Sequence, residues 1–229
     1  GKSLTGEKVM EIINIKPASA DFHEHAGEAL RTFLADRDVL YLNLLSSPGA
    51  GKTTLLLKVL EKLKDEYRCG ILEADQDSTV DALKLENAGY QTIQLHTGDI
   101  NYLDASMSCQ GLEGLDTANL DIVFLENIGN LVRPTGIDTG AHGDVLIFSI
   151  PEGADKPLKY PLMFQKSDLL VINKVDVLPY FDFDMNRFKA SVQILNPGMQ
   201  ILEVSAKTGQ GIEELANWIK TKFSSVTRK

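Results

Sequence analysis

The stretch Ser46-Ser47-Pro48-Gly49-Ala50-Gly51-Lys52-Thr53-Thr54 ends one apolar run and opens a helical pattern. Phosphate binding needs backbone N–H groups turned inward around an anion. Gly49 and Gly51 permit that curl, and the start of the following helix adds the positive end of its dipole. In such a loop a lysine at position 52 reaches the β- and γ-phosphates, and a hydroxyl at position 53 ligates Mg²⁺. Gly49, Ala50, Gly51, Lys52, Thr53 and Thr54 are therefore the expected phosphate-binding residues. Ser46 stands where the general pattern has its first glycine.

Outward from this loop, short apolar runs alternate with amphipathic stretches. The runs at 39–46, 69–74, 91–96, 121–126, 144–150, 168–173 and 200–204 read as strands buried on both faces. Residues 53–66, 79–87, 103–115, 156–165, 184–195 and 212–222 read as helices between them. Alternation of this kind predicts an α/β fold, doubly wound, with a mostly parallel sheet of about seven strands. Residues 1–37 read as an N-terminal extension and 38–229 as the nucleotide-binding domain. Within the extension, 1–19 is weakly patterned, and 21–36 reads as one polar helix packed outside the main fold.

Composition narrows the class. Of 229 residues 43% are hydrophobic, enough for a full core without disulfides or a structural metal. A net charge of −9 argues against a nucleic-acid or anionic-membrane binder, whose footprint is a basic face. No apolar run approaches the roughly 20 residues of a membrane span, and no signal pattern opens the chain. The expectation is a soluble cytoplasmic protein. Cys69 and Cys109 make no disulfide framework and are expected to pack as small hydrophobes.

Asn173-Lys174-Val175-Asp176 follows the apolar run at 169–172. A carboxylate at Asp176 accepts from guanine N1–H and its 2-amino group together, whereas adenine would leave it unpaired. Asn173 would tie this loop to the phosphate loop, and the stem of Lys174 would lie over the base. Ser205-Ala206-Lys207, after the last run, fits a second base-contacting loop. GTP is preferred to ATP on these grounds. Glu126-Asn127-Ile128-Gly129 and Asp75 end neighbouring strands beside the phosphate loop. Thr53, Asp75 and Glu126 form the expected Mg²⁺ shell, and Gly129 offers its N–H to the γ-phosphate. Lys52, Asp75, Glu126 and Gly129 are the expected catalytic set. Asn130 stands where fast-switching G proteins have a water-orienting Gln, so intrinsic hydrolysis is expected below about 1 per second.

At this point the chain resembles the hydrogenase nickel-incorporation GTPase family (HypB). The resemblance rests on residues 46–54, on Glu126-Asn127-Ile128-Gly129-Asn130-Leu131-Val132 and on Thr97-Gly98 with Leu103-Asp104-Ala105. It rests also on the run from Pro151 through Lys156 to Pro161, and on Asn173–Asp176 with Leu178-Pro179-Tyr180. It implies a P-loop protein of the SIMIBI class and a GTP-dependent homodimer. It further implies accessory maturation proteins, a metalloenzyme client that receives nickel, and a Lys156 placed near the guanine base. The family's interface metal ligands, a Cys-His pair and a second Cys, fall here on Asn101-Tyr102 and Arg133. None of the three carries a thiolate or an imidazole, so GTP chemistry transfers and nickel chemistry in its usual form does not. Arg133 could instead pair with a carboxylate across a dimer. His23 and His25, two apart and so set apart on a helix, make a poor chelate together. His96 and His142 read as solvent-facing or hydrogen-bonded imidazoles, with a metal-ligand role as the alternative for either. The leading reading is a GTPase switch in metalloenzyme maturation. The alternative is a metal-free, nucleotide-gated assembly factor. A third, an ATPase or small-molecule kinase, is opposed by Asp176 and the Ser205–Lys207 loop.

Overall fold

In a parallel α/β sheet, loops at the carboxyl ends of the strands gather functional groups where the strand order reverses. The computed structural model describes residues 10–17, 25–76, 78–129 and 136–229. Its strands are β1 (Glu11–Asn14), β2 (Leu40–Ser46), β3 (Cys69–Asp75), β4 (Gln91–His96), β5 (Ile122–Glu126), β6 (Gly143–Ser149), β7 (Leu169–Asn173) and β8 (Gln200–Glu203). The helices are α1 (Ala26–Asp36), α2 (Lys52–Leu63), α3 (Val80–Asn87), α4 (Ala105–Gly114), α5 (Lys156–Lys159), α6 (Pro161–Lys166), α7 (Met185–Leu195) and α8 (Ile212–Val226).

The strands form one sheet in the order β1-β4-β3-β5-β2-β6-β7-β8, with every pairing parallel. β2 lies between β5 and β6, so the chain crosses over it between those two strands. The phosphate loop leaves β2 at this crossing.

Alternate residues of β2 serve opposite faces. Leu40, Leu42 and Leu44 pack under α2 and α8, with Leu60, Leu63, Leu215 and Phe223. On the other face Tyr41 joins the core of α1 and α4, and Leu45 joins that of α6 and α7. Each fully buried leucine of these layers contributes about 1.5–3 kcal/mol. Phe148, Phe164 and Phe188 fill the layer under α6 and α7, with Phe148 and Phe188 stacked at 4.7 Å.

Among the described residues the sheet has eight strands rather than about seven. β1, only four residues long and largely exposed, adds itself beside β4 at the edge. A run so short shows no usable period. The polar helix expected outside the fold is α1 in its described part, and its Leu30 and Leu34 are buried in the core beside α4. The single helix expected at 156–165 breaks at Tyr160. Pro161 has no N–H to continue it and pushes the preceding residue out of the helical region. Among the described residues no helix is long and apolar enough to cross a membrane.

Candidate nucleotide site

Beyond Ser46 the chain turns through Gly49 and Gly51, at φ of 80° and 86°, in the left-handed region that favours glycine. Gly51 is constrained twice, because a Cβ there would lie 2.8 Å from Asn173 Nδ2. Ala50 is buried, Lys52 opens α2, and Thr54 is exposed on its first turn. A cavity of about 410 Å³ opens over the loop. Gly49, Ala50, Gly51, Lys52, Thr53, Thr54, Asp75 and Gly129 all line it, so the structure brings together eight predicted residues from three strand ends.

On one side of the loop lies a charged, buried group. Lys52 Nζ donates to the Asn127 carbonyl. The Thr53 hydroxyl donates to Glu126 Oε2 at 3.0 Å. Glu126 is fully buried, and in the β3–β5 register it stands opposite Glu73. Burial, and then the facing Glu126, hold the Glu73 carboxyl well above the usual carboxylate range, with Lys52 pulling it back down. Among the described residues no donor from outside this pair reaches Glu73 Oε2 or Glu126 Oε1, so these buried oxygens have only the facing carboxyl to share a proton with. Two bare carboxylate oxygens beside a threonine hydroxyl fit a hard divalent cation. Asp75 sits on the rim, where its carboxylate accepts from the Ser78 N–H at 3.0 Å. Glu73 was not among the sequence-predicted residues. A lone carboxylate inside the otherwise apolar β3 was the signal that could have found it.

On the other side the contacts are already closed. Asn173 Nδ2 donates to the Ala50 carbonyl at 3.0 Å, and Lys174 Nζ donates to that of Gly49 at 2.8 Å. Lys174 adopts φ of 62°, an uncommon conformation for a residue with a side chain, and so folds back over the loop. The Ser205 hydroxyl, fully buried, donates to Asp176 Oδ1 at 2.8 Å and accepts from the Thr208 N–H at 3.1 Å. Ala206 is buried beneath this contact and Lys207 is exposed. Asp176 is half-buried, with its carboxylate braced at one oxygen.

Residues 41–203 match the family described as CobW/HypB/UreG, nucleotide-binding domain. This chain belongs to that family. Within it the similarity is to HypB. The hydrogenase maturation factor HypB of Escherichia coli is 39% identical over 221 residues, covering 96% of this chain and 76% of that protein. The crystal structure of HypB from Helicobacter pylori in complex with nickel superposes with a TM-score of 0.82 at 32% identity, covering 87% of this chain and 94% of that one. HypB from Archaeoglobus fulgidus gives 0.80 at 30% identity, covering 87% and 97%. The mostly parallel α/β sheet expected from the sequence is the fold observed, and it is shared with the HypB structures.

The residues that the HypB resemblance singles out elsewhere lie apart from the nucleotide cavity. Lys156 opens α5, pairs with Glu152 at 3.5 Å and stands 5.2 Å from the Tyr160 ring. Asn101 and Tyr102 are half-buried just ahead of α4, where Tyr102 borders a separate cleft of about 260 Å³ with Asp104 and Asp138. Asn130, Arg133 and His23 lie outside the described residues. His25 is exposed. His142 is an internal strut: its Nδ1 accepts from the Tyr41 N–H and its Nε2 meets the Arg31 carbonyl, both at 2.9 Å. His96 ends β4, with its Nε2 buried and unpartnered. Cys69 is buried and Cys109 half-buried, and both are free thiols. Among the described residues no group of three His, Cys, Asp or Glu side chains gathers in a metal-binding arrangement.

Proposed function

We propose that this chain is a GTP-binding and GTP-hydrolysing switch of the HypB type, acting as a GTP-dependent homodimer in the maturation of a metalloenzyme. The observation that carries the reading is the braced Asp176. Ser205 holds one oxygen, and Asn173 and Lys174 lock the adjoining loop to the phosphate loop. A carboxylate fixed in this way recognises the paired donors of guanine and penalises a base without them.

On the phosphate side, Lys52 would exchange the Asn127 carbonyl for the β- and γ-phosphates, and Gly129 would offer its N–H to the γ-phosphate. Thr53 and Glu126 would hold Mg²⁺, with Asp75 and Glu73 close by. That ion, when bound, supplies positive charge against the developing negative charge of phosphoryl transfer. Lys156 would reach a guanine base, in its own or a partner protomer. Ordering of the Asp75 and Glu126–Gly129 stretches in the GTP state would stabilise the dimer, and hydrolysis would release it. The expected partners are accessory maturation proteins and a hydrogenase-like client in the cytoplasm.

Isothermal titration tests this reading. Asp176→Asn should lower GTP affinity by roughly 10²-fold and raise affinity for a xanthine nucleotide, whose 2-carbonyl meets an amide donor. Equal loss of GTP and ATP binding, with no gain for xanthine, would sink the guanine assignment.

Asn101 and Tyr102, standing at the resemblance's ligand positions, favour a second reading in which the switch regulates a partner complex without carrying nickel itself. The HypB of Helicobacter pylori was crystallised in complex with nickel. Equilibrium dialysis of the GTP-analogue-bound protein against Ni²⁺ separates the two: about one tight ion per dimer restores nickel delivery, and none leaves the metal-free switch.

A further inference from the structure

Strand β2 carries one residue that its packing does not explain. Asn43 lies between Leu42 and Leu44 in a fully buried strand and is 2% exposed. A leucine there would bury apolar surface, whereas an amide must find hydrogen-bond partners or destabilise the sheet. Asn43 faces the seam between two cores, since Tyr41 belongs to the layer of α1 and α4 and Leu45 to that of α6 and α7. Its two contacts both run sideways, to the strands on either flank. Asn43 Oδ1 accepts from Asn127 Nδ2 at 3.0 Å. Asn43 Nδ2 donates to Asp144 Oδ1 at 2.9 Å, and Asp144 is its register partner on β6.

Asn127 is 1% exposed and is held at four points. Its N–H donates to the Leu44 carbonyl at 3.1 Å, and its Oδ1 accepts from the Ile128 N–H at 2.8 Å. Its carbonyl accepts from Lys52 and its Nδ2 reaches Asn43. It also stands between Glu126, which accepts from Thr53, and Gly129, which lines the nucleotide cavity. The orientation of the Asn127 side chain therefore sets the course of the backbone that faces the phosphates. Asn43 is the side chain that fixes that orientation. Asp144 fixes Asn43 in turn, from the wall of a second cavity of about 340 Å³ on the far side of β2.

We propose that Asn43 is a positioning residue for GTP turnover, holding Asn127 so that residues 126–129 present their carbonyl and N–H groups to Lys52 and the nucleotide. This rests on the GTPase reading above. Asn43 touches neither nucleotide nor cation. It acts through Asn127, with Asp144 as its anchor.

Three variants test it: Asn43→Leu, Asn43→Asp, and Asn43→Asp combined with Asp144→Asn. The last restores the chain with donor and acceptor exchanged, because a carboxylate at 43 accepts from amides at both 127 and 144. Single-turnover GTP hydrolysis with Mg²⁺, binding of a fluorescent GDP analogue and thermal melting are measured for each. Asn43→Leu should slow hydrolysis roughly 10–100-fold while GDP affinity stays within about threefold. Asn43→Asp should be at least as slow, since it sets two carboxylates face to face, and the double variant should recover to within about threefold of wild type. A hydrolysis rate for Asn43→Leu within about twofold of wild type overturns the proposal. So does joint loss of rate, GDP affinity and melting temperature without recovery in the double variant. If the wild-type protein hydrolyses no GTP, the GTPase reading and this proposal fall together. If it does and the variants match it, the positioning role alone falls.

Discussion

On one side of the phosphate loop, Asp176 rests on Ser205, and Asn173 and Lys174 reach across to the carbonyls of Ala50 and Gly49. On the other side, Glu73 and Glu126 face each other across neighbouring strands, each with a buried oxygen that no described donor from outside the pair reaches. The base side retains one bare acceptor too, Asn173 Oδ1, but that atom is a neutral amide oxygen. Leaving a neutral acceptor unpaired costs far less than burying two carboxylates together. The base side is thus preorganised before any ligand arrives, whereas the phosphate side holds unfavourable electrostatics that a cation would relieve. On the GTP-binding reading proposed above, selectivity would belong to the rigid side and response to the ligand to the strained one.

The sharpest way to separate the two sides is Lys52→Ala. Phosphate release should fall by roughly 10²–10³-fold, as when one charge-stabilising donor is removed. The preference for GTP over ATP, measured by competition, should survive. Loss of that preference would mean that the two sides are not independent.

Glu73→Gln should show the strain directly. Burial and Glu126 raise the Glu73 carboxyl above its ordinary value of 4.5, so the folded protein binds this proton more tightly than the unfolded chain. Its stabilising share is complete below that value and is lost as pH rises through the higher folded-state value. At neutral pH the nucleotide-free Glu73→Gln protein should therefore melt above wild type by an amount equivalent to roughly 1–3 kcal/mol. For a chain of this size that is about 2–4 °C per kcal/mol. The gap should close in acid, and a lower melting point across the whole pH range would contradict the strain.

Ser205→Ala on the base side should do the reverse on a smaller scale. Removal of a buried hydroxyl that bridges Asp176 and the Thr208 N–H should lower stability by about 1 kcal/mol. GTP affinity, read by titration, should weaken several-fold. An unchanged protein would mean that Asp176 needs no brace.

On the Asp176 side, the tie from Asn173 to the phosphate loop was legible in the sequence, because an amide at the end of an apolar run is placed to face the loop that follows β2. The Ser205–Asp176 contact was not, because it joins two segments that only the fold brings together. The phosphate loop was legible, because Gly49 and Gly51 both take a left-handed backbone conformation that the residue type announces. Glu73 and Asn43 were not. Their roles depend on which strands become neighbours and in what register, facts carried by β3 against β5 and by β2 against β6. A single chain read in order contains no such pairing. The break at Tyr160 was open to view in Pro161, whereas β1 is defined only by the edge it joins.

The four residues of β1 have a further consequence. They occupy the open margin of β4, a six-residue strand whose Thr92, Ile93, Gln94 and Leu95 are buried. A short strand with exposed side chains makes a poor template for another sheet, but a longer apolar one invites it. A chain beginning at His25 would leave the margin of β4 bare, and its expected failure is self-association into aggregates before any loss of nucleotide chemistry. The first strand, one strand removed from β3 and its Asp75, would then act as the molecule's guard against joining its own kind.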